Sequence, residues 1–483
     1  MPISLEVADF VLPDTQDYKT WIELMQSPDT LAAEYEVPLW SERHWDLIAQ
    51  SMRYIGEIGS RTLIVPLIAE TNSGDSESMV RWIKKDDGTY DYDLTILDRY
   101  LDTAVKNMGR PKFVAFTVWE IYLDTPKQEV KLTEEEKANI NQFRAREKSW
   151  AAARWQLRGK GPAVTALNPA TGETATVRLP RFEEPEAMAA WKPLFDRLRK
   201  DMAARGLEDT MLLGMASDKW PNKDEMATID KMSGSLKWIN HTHQGPKGRP
   251  MAGGLGFVAY TAYVWPNRYP GDPRVERTYG WKRPELNVEF RRFTAFNNWR
   301  LPAEMIFPEI QITGSQRGLG RIGADFWAVV RDSRGRRRGR VWGKYPQSMW
   351  HSCNLSSHML DPGPDGPVAT TRYEMLRAGV QNCEARIVIE EVLTGEDPET
   401  RLGADLAARC EKLLDDRLWH ILKGFTGLQL TGRNYTTYSR YGHVFYYNAG
   451  GSPGGYWFAN YDWQDRRQQL YELAGEVQRA VNK

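Results

Sequence analysis

The sequence of 483 residues has no run of about 18 apolar residues, so no membrane-spanning helix is expected. Its three cysteines (Cys353, Cys383 and Cys410) are too few and too scattered for a disulfide framework or a CxxC metal site. Lys and Arg number 64, as do Asp and Glu. Nucleic-acid binding is therefore not expected, because a sequence-independent binder needs a basic surplus. The first residues have neither a basic n-region nor an apolar h-region. We therefore expect a domain or mature form without its signal peptide, which leaves the compartment open.

Aromatic residues are abundant, with 19 Trp, 21 Tyr and 15 Phe. Many of the tryptophans lie beside charged or amide residues. Flat rings next to hydrogen-bonding groups suit sugars, although tryptophan also fills protein cores. The segment 331–340 is rich in arginine and is interpreted as a solvated loop.

Short apolar segments alternate with amphipathic helical patterns, which predicts an α/β fold. Helices are predicted from Ser41 to Gly59, from Leu94 to Gly109, at 134–158, through Trp191 to Gly206, at 372–392, at 404–423 and at the C-terminal end. A β-hairpin is predicted around the turn 168–172. The predicted strands are 7–13, 62–69, 113–119, 210–216, 236–240, 257–264, 288–296 and 322–330.

Eight strands with intervening helices favour a (β/α)8 TIM-type barrel with an inserted β-hairpin and a C-terminal helical and aromatic extension. A doubly wound sheet is the alternative. The predicted domains are a barrel over 1–395, with an insertion at about 130–182, and an extension over 396–483 that packs on the barrel.

Active sites of such barrels lie at the carboxyl ends of the strands. Carboxylates, histidines and aromatic residues collect there in this sequence, which predicts a site for a carbohydrate. The catalytic candidates are Asp218 and Glu120, because two carboxylates on adjacent strands can serve as the acid and the nucleophile or base of a glycosidase. The candidates for substrate binding are Glu70, Trp119, Lys219, His241, His243, Tyr263, Arg291, Asp325 and Trp327.

Two patterns indicate other chemistry less strongly. His241 and His243 alternate along a strand and thus share a face, which is half of a metal site, but no further ligand motif accompanies them. The run 318–323 spells GxGxxG, yet it precedes an apolar run rather than following a strand, so a tight turn is predicted instead of a dinucleotide site. Neither a cofactor nor a bound metal is expected.

The sequence resembles the barrel domain of family 123 glycoside hydrolases and their relatives. The resemblance rests on the stretches 7–13, 38–41, 217–218, 320–327 and 372–385, and on their order in the chain. It implies a glycosidase that is secreted or periplasmic. It also implies that Asp218 corresponds to the first member of an Asp–Glu pair, which holds the 2-acetamido group of the substrate while the glutamate protonates the leaving oxygen.

The chain departs from this pattern at the next position, which is Lys219. Three interpretations follow: another carboxylate such as Glu120 is the acid, the substrate differs, or the site binds sugar without cleaving it. A lysine there also suits an anionic sugar. The hypotheses are a glycoside hydrolase acting on a complex polysaccharide or glycan, a carbohydrate-binding protein on a degenerate barrel, and a metal-dependent hydrolase using His241 and His243. Homo-oligomerisation, the sugar and the linkage are left open.

Overall fold

The computed structural model describes residues 7–242, 257–262, 279–282, 287–290, 302–313, 317–350, 355, 358–430 and 463–482. The chain forms two compact units, each assembled from separate stretches. The sheet unit comprises Glu23–Tyr263 and Arg321–Val368. The helical unit comprises Met1–Ile22, Val264–Gly320 and Ala369–Lys483.

The elements are numbered in chain order. The strands are β1 (Trp21–Met25), β2 (Thr62–Pro66), β3 (Arg81–Lys84), β4 (Tyr90–Asp93), β5 (Phe113–Thr117), β6 (Ala163–Leu167), β7 (Thr174–Arg178), β8 (Met211–Met215), β9 (Trp238–Thr242), β10 (Phe257–Ala262), β11 (Asn287–Phe290), β12 (Gly318–Gly323), β13 (Val330–Arg331), β14 (Arg337–Gly339), β15 (Leu360–Gly363) and β16 (Gly366–Ala369). The helices are α1 (Pro28–Glu34), α2 (Glu42–Glu57), α3 (Thr95–Met108), α4 (Glu134–Ala138), α5 (Phe143–Trp155), α6 (Pro185–Ala204), α7 (Lys223–Ser233), α8 (Pro302–Thr313), α9 (Thr371–Leu393), α10 (Pro398–Leu402), α11 (Ala404–Leu430) and α12 (Trp463–Val481).

A parallel sheet organises the sheet unit. Its strands β2, β5, β8, β9 and β10 lie side by side in that order, and each neighbouring pair runs parallel. Strands β8 and β9 are buried along their whole length, as expected for parallel strands covered on both faces. Because the carboxyl ends of parallel strands share one edge, the segments that follow these strands meet there. The predicted α/β fold is thus confirmed, while closure into an eight-stranded barrel stays a prediction.

The helices were predicted well because their apolar residues recur at helical spacing. Helix α2 begins after Ser41, whose hydroxyl accepts a hydrogen bond from His44 N at 3.3 Å. It buries Trp45 and Met52. Helix α3 ends at Gly109, which adopts φ +82°. The predicted insertion helix is divided into α4 and α5.

The predicted β-hairpin is confirmed and belongs to a larger sheet. Strands β6 and β7 pair antiparallel around the turn 168–172. Strands β3 and β4, which were not predicted, extend this hairpin into a four-stranded sheet of order β4-β3-β6-β7. Trp82 of β3 is buried against Trp191 of α6, with ring centroids 4.9 Å apart. This contact packs the insertion on the helix that leads back to the parallel sheet.

The prediction of the first strand is wrong. Residues 7–13 form no strand, and the first strand of the described chain is β1. The segment 7–13 has the apolar composition of a strand but not its burial, since Val7 and Val11 are 85% and 72% exposed. Strand β1, in contrast, is buried at all five positions.

The last strand begins four residues and ends seven residues before the predicted bounds 322–330. Strand β12 covers Gly318–Gly323, so the GxGxxG run is a buried strand beside β1 and not a tight turn. Its glycines allow close backbone contact: a Cβ atom at Gly318 would lie 1.8 Å from Trp21 O, and one at Gly323 would lie 2.2 Å from Leu355 O. The arginine-rich segment that follows forms the short hairpin β13–β14.

Helices dominate the helical unit, and the three predicted C-terminal helices are confirmed as α9, α11 and α12. One apolar cluster joins these three helices; its buried members include Ala385, Ile389, Cys410, Leu414, Leu470, Ala474 and Val477. No described helix combines the length and apolar character needed to cross a bilayer. The predicted domain division into 1–395 and 396–483 stays a prediction.

Candidate active site

Glu120 lies in the segment that follows β5. It precedes a short 3-10 helix, Ile121–Leu123, and caps it: Ile121 N donates to Glu120 Oε1 at 2.7 Å. The backbone N–H of Asn72, which follows β2, donates to Oε2 at 2.6 Å. The side chain is buried, and this burial raises the pKa of Glu120 to about 8, although both hydrogen bonds and the charge of Arg321 act in the opposite direction. This raised pKa favours the protonated carboxyl group near neutral pH, which is the form that a general acid needs.

Asp218 lies in the segment that follows β8 and is half-buried. The hydroxyl group of Thr242, at the end of β9, donates a hydrogen bond to Asp218 Oδ1 at 2.6 Å. Because β8 neighbours both β5 and β9, Asp218 follows a strand adjacent to the strand that Glu120 follows. The predicted placement of the two carboxylates after adjacent strands is thus confirmed.

An ion pair joins the two segments that carry these carboxylates. Lys219 Nζ lies 3.3 Å from Asp124 Oδ2. Asp124 ends the 3-10 helix that Glu120 begins. The Lys219 side chain is 63% exposed, so its charge also remains accessible to solvent. Lys219 thus links the Asp218 segment to the Glu120 segment.

His241 lies on β9 and contacts a strand end that was not predicted to contribute. Its Nε2 lies 2.6 Å from Oε1 of Glu23, on β1, and both side chains are buried. The other carboxylate oxygen of Glu23 accepts the backbone N–H of Arg321 at 3.1 Å. His243 lies outside the described residues. Among the described residues no group of three His, Cys, Asp or Glu side chains is arranged to hold a metal ion.

Arg321 and Trp350 are site residues that the sequence did not single out. Arg321 is fully buried, adopts φ +51°, and its guanidinium carbon lies 4.6 Å from the centre of the Trp350 ring. Trp350 N donates to Asn72 Oδ1 at 3.0 Å. The positive charge of Arg321 acts on Glu120. The sequence did contain information that could have identified Arg321, because this residue belongs to the stretch 320–327 on which the family resemblance rests.

Two buried amides leave polar atoms for a ligand or a water molecule. Within the part of the chain that the structure describes, Asn72 Nδ2 and Asn240 Oδ1 have no hydrogen-bond partner. One atom is a donor and the other is an acceptor, and both residues are at most 1% exposed. Buried polar atoms without partners are rare and therefore need an explanation such as a bound ligand or a water molecule.

Glu70 and Trp119 follow β2 and β5 but have protein partners. Glu70 pairs with Arg178 and also accepts a hydrogen bond from Gln347 Nε2 at 3.1 Å. Trp119 is buried, and its Nε1 lies 3.4 Å from Glu225 Oε2. Burial raises the pKa of Glu225 to about 7. The indole ring of Trp119 is thus part of the interior in this structure and not an open platform.

Asp325 and Trp327 contact a different set of residues from Glu120. Asp325 accepts hydrogen bonds from Ser27 N at 2.7 Å and Ser51 Oγ at 2.6 Å. Trp327 Nε1 donates to Leu360 O at 2.6 Å. Both side chains are buried. The structure thus places Glu120, Asp218, Lys219 and His241 on or directly after the neighbouring strands β5, β8 and β9. Asp325 and Trp327 instead have partners within the interior. Tyr263 and Arg291 lie outside the described residues.

Comparison with known proteins bears on this arrangement. Residues 25–244 match the family model described as the glycoside hydrolase 123 catalytic domain. The chain is also similar to the solved structure of a family 123 glycoside hydrolase from Clostridium perfringens, which was studied for glycolipid glycan hydrolysis, with a TM-score of 0.52 and 12% identity. The similarity covers 83% of this chain but 64% of that chain, less than two thirds of its length. No curated protein matches the sequence.

Proposed function

We propose that this chain, which is a glycoside hydrolase 123-like protein, cleaves glycosidic bonds in a complex polysaccharide or glycan. The observation that carries the proposal is the pair of carboxyl groups on adjacent strand ends, Glu120 with its pKa raised to about 8 and the half-buried Asp218. Glycoside hydrolysis needs one protonated and one ionised carboxyl group at the same pH, and unequal environments produce that difference.

In the proposed reaction Glu120 donates its proton to the leaving glycosidic oxygen. Asp218 acts on the opposite side as the nucleophile or the base, and the Thr242 hydroxyl holds its carboxylate in place. The acid role is not given to Lys219, whose side chain is exposed and pairs with Asp124. We further propose that His241, held by Glu23, orients substrate hydroxyls.

Three further predictions are also proposals: a closed barrel, export from the cell, and a set of substrate-binding residues. A closed (β/α)8 barrel is proposed from the run of adjacent parallel strands β2, β5, β8, β9 and β10 with intervening helices. Export from the cell is proposed from the family resemblance alone. The roles of Glu70, Trp119, His243, Tyr263, Arg291, Asp325 and Trp327 in substrate binding likewise stay proposals.

The test is hydrolysis of a panel of glycans and aryl glycosides by the wild-type chain and by Glu120→Gln and Asp218→Asn. Both variants should lose hydrolysis by at least about 100-fold, the usual contribution of a positioned acid or base. Glu304→Gln is the matched control for Glu120→Gln, since Glu304 is also a buried carboxyl group, its pKa is raised to about 7, and it belongs to the helical unit. Full activity in both variants would refute the assignment.

A second candidate function is carbohydrate binding without cleavage. It is favoured by Lys219, which stands where the family resemblance implies the acid. Calorimetry with the same glycans would then show binding, and no new reducing ends would form after long incubation. The third candidate, a metal-dependent hydrolase using His241 and His243, would require activity that a chelator abolishes and a stoichiometric metal in the purified protein.

A further inference from the structure

The hairpin β13–β14 concentrates positive charge in a chain whose formal charge is zero. Its residues 331–340, here called the basic hairpin, contain six arginines and one acidic residue, Asp332. Most of the basic hairpin is exposed. A local surplus of this kind attracts anions when the rest of the surface carries balanced charges.

Three of these arginines hold the basic hairpin in place. Arg337 Nη1 lies 2.5 Å from Glu34 Oε1, and Arg331 Nη2 lies 3.3 Å from Glu36 Oε1. Within the turn, Arg336 pairs with Asp332 at 2.8 Å. The position and shape of the basic hairpin are thus fixed at its base and at its turn.

Arg334 and Arg338 do not help to hold the basic hairpin in place. Both are exposed, and neither side chain forms an ion pair within the described residues. A guanidinium group binds carboxylate or sulfate oxygens with two parallel hydrogen bonds. The hairpin therefore presents two such groups on a backbone that the other arginines hold in place.

The basic hairpin lies close to the candidate active site along the chain and through contacts. Val341 follows it directly and packs on Gly74, where a Cβ atom would lie 2.5 Å from Val341 C. Gly74 is two residues from Asn72, whose N–H donates to Glu120. Two residues span at most about 7 Å, and the three residues from Arg338 to Val341 at most about 11 Å. These contacts limit the separation of the hairpin from Glu120 to roughly 30 Å, a distance that a polysaccharide of several sugar units covers.

We propose that the basic hairpin binds an anionic polysaccharide, with carboxylate or sulfate groups on its sugars, and directs it to the strand ends around Glu120. The inference rests on the proposed function, because it names the substrate class of the same site. The exposed ammonium group of Lys219, at those strand ends, offers the chain a further cation. An anionic polysaccharide is favoured over nucleic acid as the occupant because the proposed function already gives this site a sugar substrate.

The test compares Arg334→Ala/Arg338→Ala with the control Arg144→Ala/Arg158→Ala, which removes two exposed arginines elsewhere in the sheet unit. Calorimetry measures binding of polygalacturonate, chondroitin sulfate and uncharged dextran at two salt concentrations. The wild type should bind the two polyanions more tightly than dextran, and added salt should weaken that binding. The hairpin variant should bind them about tenfold more weakly, as expected for two exposed ion pairs. The control should bind like the wild type.

Equal affinities of the wild type and the hairpin variant would overturn the proposal, as would an equal loss in the control. Tighter binding of a single-stranded DNA than of either polyanion would assign the basic hairpin to nucleic acid and overturn it as well. Hydrolysis of an uncharged aryl glycoside separates this result from the proposed function. The hairpin variant should hydrolyse this glycoside as well as the wild type does. If the wild type does not hydrolyse it, the proposed glycosidase function is contradicted, but the proposed binding of polyanions by the basic hairpin is not.

Discussion

His241 Nε2 lies 2.6 Å from Glu23 Oε1, and this contact joins β9 to β1 inside the sheet unit. Both side chains are buried. Because Glu23 also accepts the backbone N–H of Arg321, one carboxylate connects three strands. The pair therefore fixes the relative positions of strand ends that carry the candidate active site.

Removal of Glu23 should destabilise the sheet unit. Glu23→Ala leaves the buried imidazole of His241 and the Arg321 N–H without an acceptor, which should lower the free energy of unfolding by about 1–3 kcal/mol for each group left unpaired. Glu23→Gln retains an acceptor oxygen and should cost less. Urea denaturation of both variants measures the difference. An equal loss in the two variants would contradict the role given to these hydrogen bonds.

The pH dependence of hydrolysis should report the protonation of Glu120. The pKa of this carboxyl group is raised to about 8, so the proton donor is present below that pH and is lost above it. We expect kcat/KM for an aryl glycoside to decline as the pH rises through about 8. Glu304→Gln, as the control, should keep the same decline.

The same shift predicts how stability depends on pH. Because the folded pKa lies above the unfolded value, the contribution of Glu120 to stability is fully present below the unfolded pKa and is lost as the pH rises through about 8. Glu120→Gln should therefore show a smaller fall in Tm between pH 5 and pH 9 than the wild type. A parallel fall in both proteins would argue that Glu120 is ionised when folded.

Substitution of Lys219 should affect activity more than stability. Its pair with Asp124 is largely exposed, and such pairs contribute less than about 1 kcal/mol. It nevertheless joins the segments of Glu120 and Asp218, so Lys219→Ala should lower kcat/KM by about tenfold through loss of positioning. Lys192→Ala, which removes the exposed pair with Asp196, is the control and should change neither quantity. Unchanged kcat/KM in Lys219→Ala would rule out the positioning role.

Gly74→Ala and Gly88→Ala form a matched pair. Both glycines adopt positive φ, +94° and +85°, but a Cβ atom at Gly74 would collide with Val341, whereas one at Gly88 would meet nothing within 4 Å. Gly88→Ala should cost about 1 kcal/mol of backbone strain, and Gly74→Ala about 1–3 kcal/mol more. Thermal denaturation measures the costs. Only Gly74→Ala should also raise KM, because Gly74 holds the segment of Asn72.

The sequence was informative wherever a local pattern decides the structure. The apolar stripe of α2, the turn at 168–172 and the glycine after α3 each act within a few residues, and each prediction is confirmed. The placement of Glu120 and Asp218 after adjacent strands also followed, because the carboxyl ends of parallel strands share one edge.

The wrong predictions concern segments whose burial differs from what the local sequence pattern indicates. A local pattern does not determine burial, because burial depends on tertiary contacts. The segment 7–13 has the residues of a strand but is only partly buried and pairs with no strand, and this error concealed Glu23 on the true first strand. The run 318–323 has the residues of a turn but is buried, because its glycines let neighbouring backbones approach. Arg321 was passed over for the same reason, since the burial of an arginine in a glycine-rich run depends on its tertiary surroundings, which here include the Trp350 ring and the charge interaction with Glu120.

The sheet unit is assembled from Glu23–Tyr263 and Arg321–Val368, and the second stretch supplies Arg321 and Trp350 to the first. During synthesis on the ribosome the residues up to 263 emerge well before this second stretch. Glu120 and Asp218 are therefore synthesised before Arg321 and Trp350, and the candidate active site is complete only after the intervening segment has been translated. Any shortened gene that ends within that interval would encode the carboxylates without the arginine and the indole beside them.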